Sequence, residues 1–180
     1  MAVRPILKMG APSLFEKSKP WPSDKFRTPE LQRLLVDMKD TMVAANGAGL
    51  AAPQIGENVR VVIFEVGDNP RYPGREKIPF TVLINPVLTP LGDEQSEDWE
   101  GCLSVPGLRG KVSRAAKLRY AGFDAHGQPI DRTVDRFHAR VVQHEVDHLD
   151  GILYPMRMKD MSNLGFTEVL FPELAGADDD

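Results

Sequence analysis

Two stretches of the chain carry apolar residues at helical spacing, which predicts two amphipathic helices. The first stretch opens on Thr28-Pro29-Glu30, which supplies an N-cap residue, a first-turn proline and a first-turn acid, and it should end before Gly47. Its apolar stripe consists of Leu31, Leu34, Leu35, Met38 and Met42. The second stretch runs from Arg136 to a stop signal at Asp150-Gly151. Much of one of its faces consists of Phe137, Val141, Val142, Val146 and Leu149.

Strand patterns occupy much of the chain between these two helices. Residues 60–66 and 80–84 are rich in β-branched and aromatic side chains and are bounded by Gly, Pro, Asn and Asp. Residues 117–123 alternate charged or small with apolar side chains, and a turn at 124–127 leads into a strand near 130–134. A helix, a run of antiparallel strands and a second helix together predict an α+β domain.

Composition and charge restrict the kinds of protein that this chain can be. The 180 residues, 42% of them hydrophobic, suffice for a core, so we predict one domain over residues 1–180 with a frayed acidic tail from about residue 171. A net charge of -4 argues against a general nucleic-acid binder, which must neutralise phosphates. The first residues lack the pattern of a secretory signal, and no stretch reaches the roughly 18 to 20 apolar residues that span a bilayer. We therefore expect a soluble, cytoplasmic protein with no membrane function.

The second predicted helix contains the pattern H-E-x-x-H. His144 and His148 lie four residues apart, so their rings can reach the same metal ion. Glu145 neighbours the first histidine and is placed to act on a water at that ion. The pattern also occurs by chance in ordinary amphipathic helices whose histidines are exposed or hydrogen bonded. The five residues alone leave these two interpretations open.

Cys102 is the single cysteine of the chain, so it forms no internal disulfide. A thiolate together with two imidazoles would leave a tetrahedral metal with one open position, which is typical of a catalytic site. A lone intracellular cysteine is also commonly a small buried hydrophobe. A third possibility, a nucleophile activated by histidine, leaves the H-E-x-x-H pattern without a role and therefore ranks below metal ligation.

The segment 47–52, Gly-Ala-Gly-Leu-Ala-Ala, matches the relaxed dinucleotide fingerprint G-x-G-x-x-A. That fingerprint needs a strand before it and a helix after it, whereas here a helix precedes the segment and a proline follows at once. It is either a plain helix-to-strand connection or a place where Gly49 lets an extended peptide approach the backbone. In the second case the side-chain amide of Gln54 is available as a hydrogen-bond donor.

Three motifs, in this order and at these separations, resemble the signature motifs of the peptide deformylase family: GAGLAAPQIG at 47–56, EGCLS at 100–104 and QHEVDHLDG at 143–151. The resemblance extends from about residue 3 to about residue 156. It implies an α+β fold in which antiparallel β-sheets pack around a central helix that carries the H-E-x-x-H motif. It also implies that Cys102, His144 and His148 hold a metal ion.

The resemblance implies further roles for single residues. Glu145 would act as general base and acid, and the side chain of Gln54 and the backbone N–H of Leu103 would form an oxyanion hole. Substrate-binding positions would be Ala48, Gly49 and Gly101 through their backbones, and Val141 as a wall of a methionine pocket.

The function implied by this resemblance is hydrolytic removal of the formyl group from formyl-methionyl nascent polypeptides, with release of formate. The cofactor would be one divalent ion, with Fe(II) favoured and Zn(II), Ni(II) or Co(II) also suited to the ligands. Some family members dock on the ribosome through a long basic C-terminal helix, whereas this tail is short and ends in three aspartates. We expect at most transient ribosome contact, and a monomer or weak homo-oligomer.

The only basic run of this acidic chain consists of Arg109, Lys111, Arg114, Lys117 and Arg119. Such a run is commonly a solvated strand face. Two members have more specific hypotheses: Arg109 touches the downstream substrate backbone, and Arg114 pairs with Glu100 to brace the segment that carries Cys102, because metal-site loops need such support.

Two rival functions remain open from the residues themselves. A zinc endopeptidase of the H-E-x-x-H type would cleave internal peptide bonds. A non-catalytic metal-binding module would bind the ion without turnover.

Overall fold

The computed structural model describes residues 2–67 and 74–174. Three α-helices are present in this part of the chain: α1 (Pro29–Ala44), α2 (Arg136–Leu149) and α3 (Thr167–Leu170). The strands are β1 (Gly49–Ala51), β2 (Val61–Val66), β3 (Ile78–Pro90), β4 (Gln95–Cys102), β5 (Val105–Ala115), β6 (Lys117–Phe123), β7 (Pro129–Asp135) and β8 (Leu164–Phe166). Short 3₁₀ helices lie at Pro12–Phe15, Ser23–Lys25, Ala52–Ile55, Tyr154–Arg157, Met161–Asn163 and Pro172–Leu174.

Both predicted long helices are confirmed, with the ends that their local signals indicated. The Thr28 side chain accepts a hydrogen bond from the backbone N–H of Leu31 and so caps α1. The helix stops at Ala44, and Asn46 follows with a φ of 50°, in the left-handed region that ends helices. Helix α2 ends before Asp150, and Gly151 adopts a φ of 72°.

The strands form two antiparallel sheets. The first has five strands in the order β1-β2-β3-β6-β7, and the second has three in the order β4-β5-β8. β1 lies at an edge of the first sheet, where Ala51 pairs with Val62. In the second sheet Cys102 pairs with Val105 across the tight turn formed by Leu103 and Ser104. The predicted α+β class with antiparallel sheets is therefore confirmed.

Two differences from the predicted strands have physical reasons. β3 runs on beyond residue 84 because a bulge at Asn85 and Pro86 lets the strand leave β2 and pair with β6. β4 and β5 were not predicted, because β4 is polar along most of its length and has no apolar alternation. The two strands are stabilised by pairing with each other, and Gln95 pairs with Ala115 at the end opposite the Cys102 turn.

The five-stranded sheet lies between the two long helices, and β2 has buried apolar side chains on both of its faces. Val61 and Ile63 pack in one apolar cluster with the buried face of α1, while Val62 and Phe64 pack in another with α2. Burial of each such side chain stabilises the fold by about 1.5 to 3 kcal/mol. In a third cluster, Cys102 packs with Val105 on the other side of its turn, and with Val112, Leu153 and Tyr154.

The C-terminal segment is described as far as residue 174. The ring of Phe171 packs edge-on against Trp99, with ring centroids 5.3 Å apart, and Pro172–Leu174 form a 3₁₀ helix. The rest of the predicted frayed tail, residues 175–180, lies outside the described residues. Within the described ranges, no helix has the length and apolar character that crossing a membrane requires.

Candidate active site

Cys102, His144 and His148 meet at one point although the cysteine is more than forty residues away along the chain. Their sulfur and ring nitrogens all lie within 4.8 Å of one another, and Cys102 Sγ is 3.4 Å from His148 Nε2. A tetrahedral ion with bonds of about 2.3 Å to sulfur and 2.0 Å to nitrogen would separate these two atoms by about 3.5 Å. The three side chains are therefore spaced as ligands of a single ion.

Local structure explains the convergence. The two histidines lie one turn apart on α2, and their ring centroids are 5.1 Å apart. Cys102 ends β4, where the backbone N–H of Ser104 donates to its sulfur over 3.4 Å. Burial raises the pKa of the Cys102 thiol, but the charges and hydrogen bonds of His148 and His144 lower that pKa well below its ordinary value. The thiolate, which is the form that binds metals, is thus favoured.

The carboxylate of Glu100 orients His144. His144 Nδ1 lies 2.9 Å from Glu100 Oε2, and because a carboxylate only accepts, the ring proton is placed on Nδ1. Nε2 of His144 then keeps its lone pair for an ion. Burial raises the pKa of Glu100, yet hydrogen bonds and charge from Arg114 and His144 outweigh burial and hold that pKa far below its ordinary value.

Arg114 and Arg140 hold Glu100 in turn. The Arg114 guanidinium donates to both carboxylate oxygens over 2.9 Å, and Arg140 donates to Oε1 over 2.7 Å. The predicted Arg114–Glu100 pair is confirmed. Arg114 also contacts Asp147 on α2, and Asp147 accepts from Arg157 over 2.7 Å. A buried charge network therefore joins the strand of Cys102 to the helix of the histidines.

The interpretation of the basic run as a solvated strand face is wrong for two of its members. Arg109 is 4% exposed and Arg114 is 5% exposed, whereas Lys117 and Arg119 are exposed. Arg114 lies on the face of β5 that packs towards α2, where it pairs with Asp147 and Glu100. Arg109 is five residues earlier on the same strand and therefore points to the opposite face, where its side chain is buried against Gly101.

Glu145 is buried in the pocket beside Cys102, His144 and His148. It is 5% exposed, and its Oε2 has no hydrogen-bond partner within the described residues. Burial raises the pKa of Glu145 to about 7, against the opposing charges of His144 and His148. A carboxyl group with that pKa exchanges protons readily near neutral pH.

The amide of Gln54 faces the same pocket. Its Oε1 accepts from the backbone N–H of Ala51 over 2.8 Å, which fixes the direction of the amide. Its Nε2 then donates to Ser104 Oγ over 3.0 Å and lies 3.7 Å from Cys102 Sγ. Leu103, on the turn between β4 and β5, lines the pocket as well.

The structure brings four of the predicted substrate-binding residues to this pocket, which has a volume of about 40 Å³ and is lined by Ala48, Gly49, Gly101 and Val141 among others. Gly49 approaches the Glu145 side chain so closely that a Cβ atom there would lie 2.3 Å from Glu145 Oε1. Arg109 does not line the pocket. Its side chain lies behind Gly101, where a Cβ atom on the glycine would be 3.0 Å from Arg109 Nε.

Four residues of the site carried no predicted role: Trp99, Ser104, Phe137 and Arg140. Trp99, Phe137 and Arg140 line the pocket. Ser104 is fully buried and stands within the EGCLS motif, which was the only signal available for it. Arg140 lies one helical turn before His144, a spacing that places both side chains on one side of α2.

An α+β fold that gathers one thiol, two imidazoles and a neighbouring carboxyl in a small pocket is typical of metal-dependent hydrolases. The family model for polypeptide deformylase matches residues 3–164. The chain belongs to the polypeptide deformylase family.

Individual relatives cover nearly the whole chain. It is 62% identical over 177 residues to peptide deformylase 1 of Nitrosomonas europaea, covering 98% of this chain and 99% of the relative. It is 60% identical over 172 residues to peptide deformylase 2 of Ralstonia nicotianae, covering 96% of each. A crystal structure of class I type b peptide deformylase from Acinetobacter baumannii with bound Met-Ala-Ser has a TM-score of 0.83 at 36% identity, over 87% of this chain and 100% of that chain.

Proposed function

We propose that this protein hydrolyses the formyl group from the N-terminal methionine of nascent polypeptides and releases formate. Deformylation of nascent peptides is the known function of the family to which the chain belongs. The observation that carries the proposal is the convergence of Cys102, His144 and His148 beside the buried carboxyl of Glu145.

The donor set fits a divalent metal ion with an open coordination position. Cys102, His144 and His148 would hold the ion, with α2 as the central helix that carries two of the three ligands. A bound divalent ion supplies Lewis-acid polarisation of a carbonyl group and lowers the pKa of water. Fe(II) is our proposed resident ion, and Zn(II), Ni(II) and Co(II) suit the same ligands.

Glu145 is the proposed general base and acid. With a pKa of about 7, its carboxylate accepts a proton from the attacking water and the resulting acid returns the proton to the leaving amine. The amide Nε2 of Gln54 and the backbone N–H of Leu103 donate to the oxygen of the formyl group as negative charge develops there. Removal of one such donor typically costs about 3 to 4 kcal/mol of transition-state stabilisation.

The substrate chain is proposed to extend along the open edge of β1. β1 is bonded only to β2 among the described strands, so the other side of Ala48 and Gly49 can pair with an extended peptide. Gly101 faces them across the pocket, and Val141 walls the space for the methionine side chain. The Met-Ala-Ser tripeptide bound to the Acinetobacter baumannii relative supports this substrate class. Arg109 supports the Gly101 side of the cleft and remains our proposed contact to the downstream backbone.

For the cellular setting we propose a single catalytic domain over residues 1–180, acting in the cytoplasm as a monomer or weak homo-oligomer. Its contact with the ribosome would be transient.

Formate release tests the function and separates it from its rivals. The protein loaded anaerobically with Fe(II) should release formate from formyl-Met-Ala-Ser and leave internal peptide bonds intact. Glu145→Gln should retain the metal and lose turnover by orders of magnitude, whereas Glu168→Gln, at an exposed glutamate outside the site, should behave as the wild type. Cleavage of internal bonds would favour an endopeptidase, and bound metal without turnover would favour a non-catalytic module.

A further inference from the structure

A second cavity adjoins the active-site pocket. It has a volume of about 510 Å³ and lies between the N-terminal segment and the C-terminal end of α1. Its lining is mostly apolar, and Leu103, whose side chain also lines the active-site pocket, forms the boundary between the two spaces. On the far side of this boundary the cavity reaches Ala44, Ala45 and Lys8.

The outer wall of this cavity is held to the active site by hydrogen bonds. The backbone N–H of Leu7 donates to the backbone oxygen of Gln54 over 2.8 Å, and that of Met9 donates to the backbone oxygen of Ser104 over 2.7 Å. The backbone N–H of Arg4 donates to Thr41 Oγ1 on α1 over 2.8 Å. The cavity is therefore bounded by a fixed segment that is attached to the same residues as the pocket.

The direction of the substrate chain follows from the position of the base. Gly49 is the residue against Glu145, so the reacting group lies at that end of the open edge of β1. Gly47 also lines this pocket and lies next to Leu103: a Cβ atom added to Gly47 would be 2.9 Å from Leu103 Cδ1. A peptide that passes from Gly49 towards Gly47 leaves the pocket beside Leu103 and reaches Ala45.

We infer that this cavity is a binding subsite for the nascent chain downstream of its first two residues. The first two residues of the substrate occupy the active-site pocket beside Gly49 and Ala48, and an extended chain advances about 3.3 Å per residue, so the cavity beyond Leu103 receives about the third to fifth residues. The inference rests on the proposed function and adds to it a preference for substrate length and charge.

Lys8 gives the cavity its charge preference. Arg4, the other cation of the lining, is paired with Asp37 at 3.5 Å and with Glu57 at 3.2 Å. Lys8 is exposed and forms no ion pair with another described residue. The cavity therefore presents one uncompensated positive charge, which favours an acidic side chain at the fourth or fifth position of the substrate.

Kinetics on peptides of graded length test the inference with the metal-loaded enzyme. Formyl-Met-Ala-Ser-Gly-Glu should have a kcat/KM about two- to fivefold above that of the matching peptide that ends in Lys, as expected for a partly exposed ion pair, and the difference should shrink at high salt. Lys8→Glu should reverse the order of the two pentapeptides. Lys17→Glu makes the same charge change at an exposed lysine outside the cavity and should preserve the order.

A variant that fills the cavity and a binding measurement supply independent readouts. Ala44→Trp should reduce the ratio of kcat/KM for the Glu-ending pentapeptide to that for formyl-Met-Ala-Ser. In NMR titrations, the product pentapeptide should shift the amide signals of Lys8, Ala44 and Gly107, and the product tripeptide should leave them in place. Equal pentapeptide rates and unshifted signals, with formate still released, would overturn the subsite but leave the proposed function standing. No formate from any formyl peptide would overturn both.

Discussion

Arg114 joins two buried carboxylates that support the candidate metal ligands. It donates to both oxygens of Glu100, which holds His144, and it contacts Asp147, which precedes His148 on α2. Replacement by Met keeps an unbranched apolar stem at this position but removes the guanidinium. The two carboxylates then lose a common partner in an environment where Arg114 is 5% and Glu100 is 4% exposed.

The loss of folding stability in Arg114→Met depends on which partners Glu100 and Asp147 still have. Removing one partner of a buried ion pair typically costs about 3 to 5 kcal/mol, because the other charge stays buried. Glu100 keeps Arg140 at 2.7 Å and Asp147 keeps Arg157 at 2.7 Å, so we expect the lower end, about 3 kcal/mol. For a chain of this length that corresponds to a fall in Tm of about 6 to 12 °C. Urea unfolding followed by tryptophan fluorescence measures the loss, and metal analysis should show weaker metal retention.

The chain offers a matched control at its surface. Arg119 also donates two hydrogen bonds to one carboxylate, that of Asp131, but both side chains are 53% exposed. Arg119→Met should therefore change the free energy of unfolding far less than Arg114→Met, because solvent replaces the lost contact. Equal effects of the two substitutions, with metal content unchanged in both, would refute the view that the buried network supports the site.

Two further predictions concern Glu100 and Gly49. Because the fold lowers the pKa of Glu100 below its ordinary value of 4.5, the stability that its ionised form contributes is fully present above about pH 4.5 and is lost as the pH falls below that value. In urea titrations of the metal-free protein, Glu100→Gln should lower the free energy of unfolding at pH 7 and flatten its dependence on pH in acid. An unchanged pH dependence would contradict the lowered pKa of Glu100. Gly49→Ala should displace the Glu145 carboxylate and lower kcat by about 10²-fold, whereas Gly67→Ala, which has open space around it, should keep wild-type kcat; full activity of Gly49→Ala would contradict the proposed placement of the base.

Local signals in the sequence were sufficient for the two long helices. Thr28 caps α1, and Gly151 takes the positive φ that ends the turn after α2, so both ends are determined by neighbouring residues. The smaller sheet was not predictable in this way. β4 consists largely of polar residues, and its strand conformation depends on β5, which pairs with it in a register that no periodicity indicates.

In the candidate site, too, the sequence predicted the residues that have local signals and missed those whose position depends on contacts between distant segments. The spacing of His144 and His148 and the uniqueness of Cys102 pointed to a metal site, and the three side chains do converge. The burial of Arg140 had no such signal, because a cation on a helix normally faces solvent. Arg140 is buried because the backbone oxygens of Ser96 and Val112, from β4 and β5, accept its hydrogen bonds.

X-ray absorption at the zinc edge of the zinc-loaded protein tests the shared ligation of one ion by Cys102, His144 and His148 most directly. We predict one sulfur at about 2.3 Å and two imidazole nitrogens at about 2.0 to 2.1 Å, with the sulfur absent from the spectrum of any zinc retained by Cys102→Ala. A shell of nitrogen and oxygen atoms without sulfur in the wild-type protein would contradict the account.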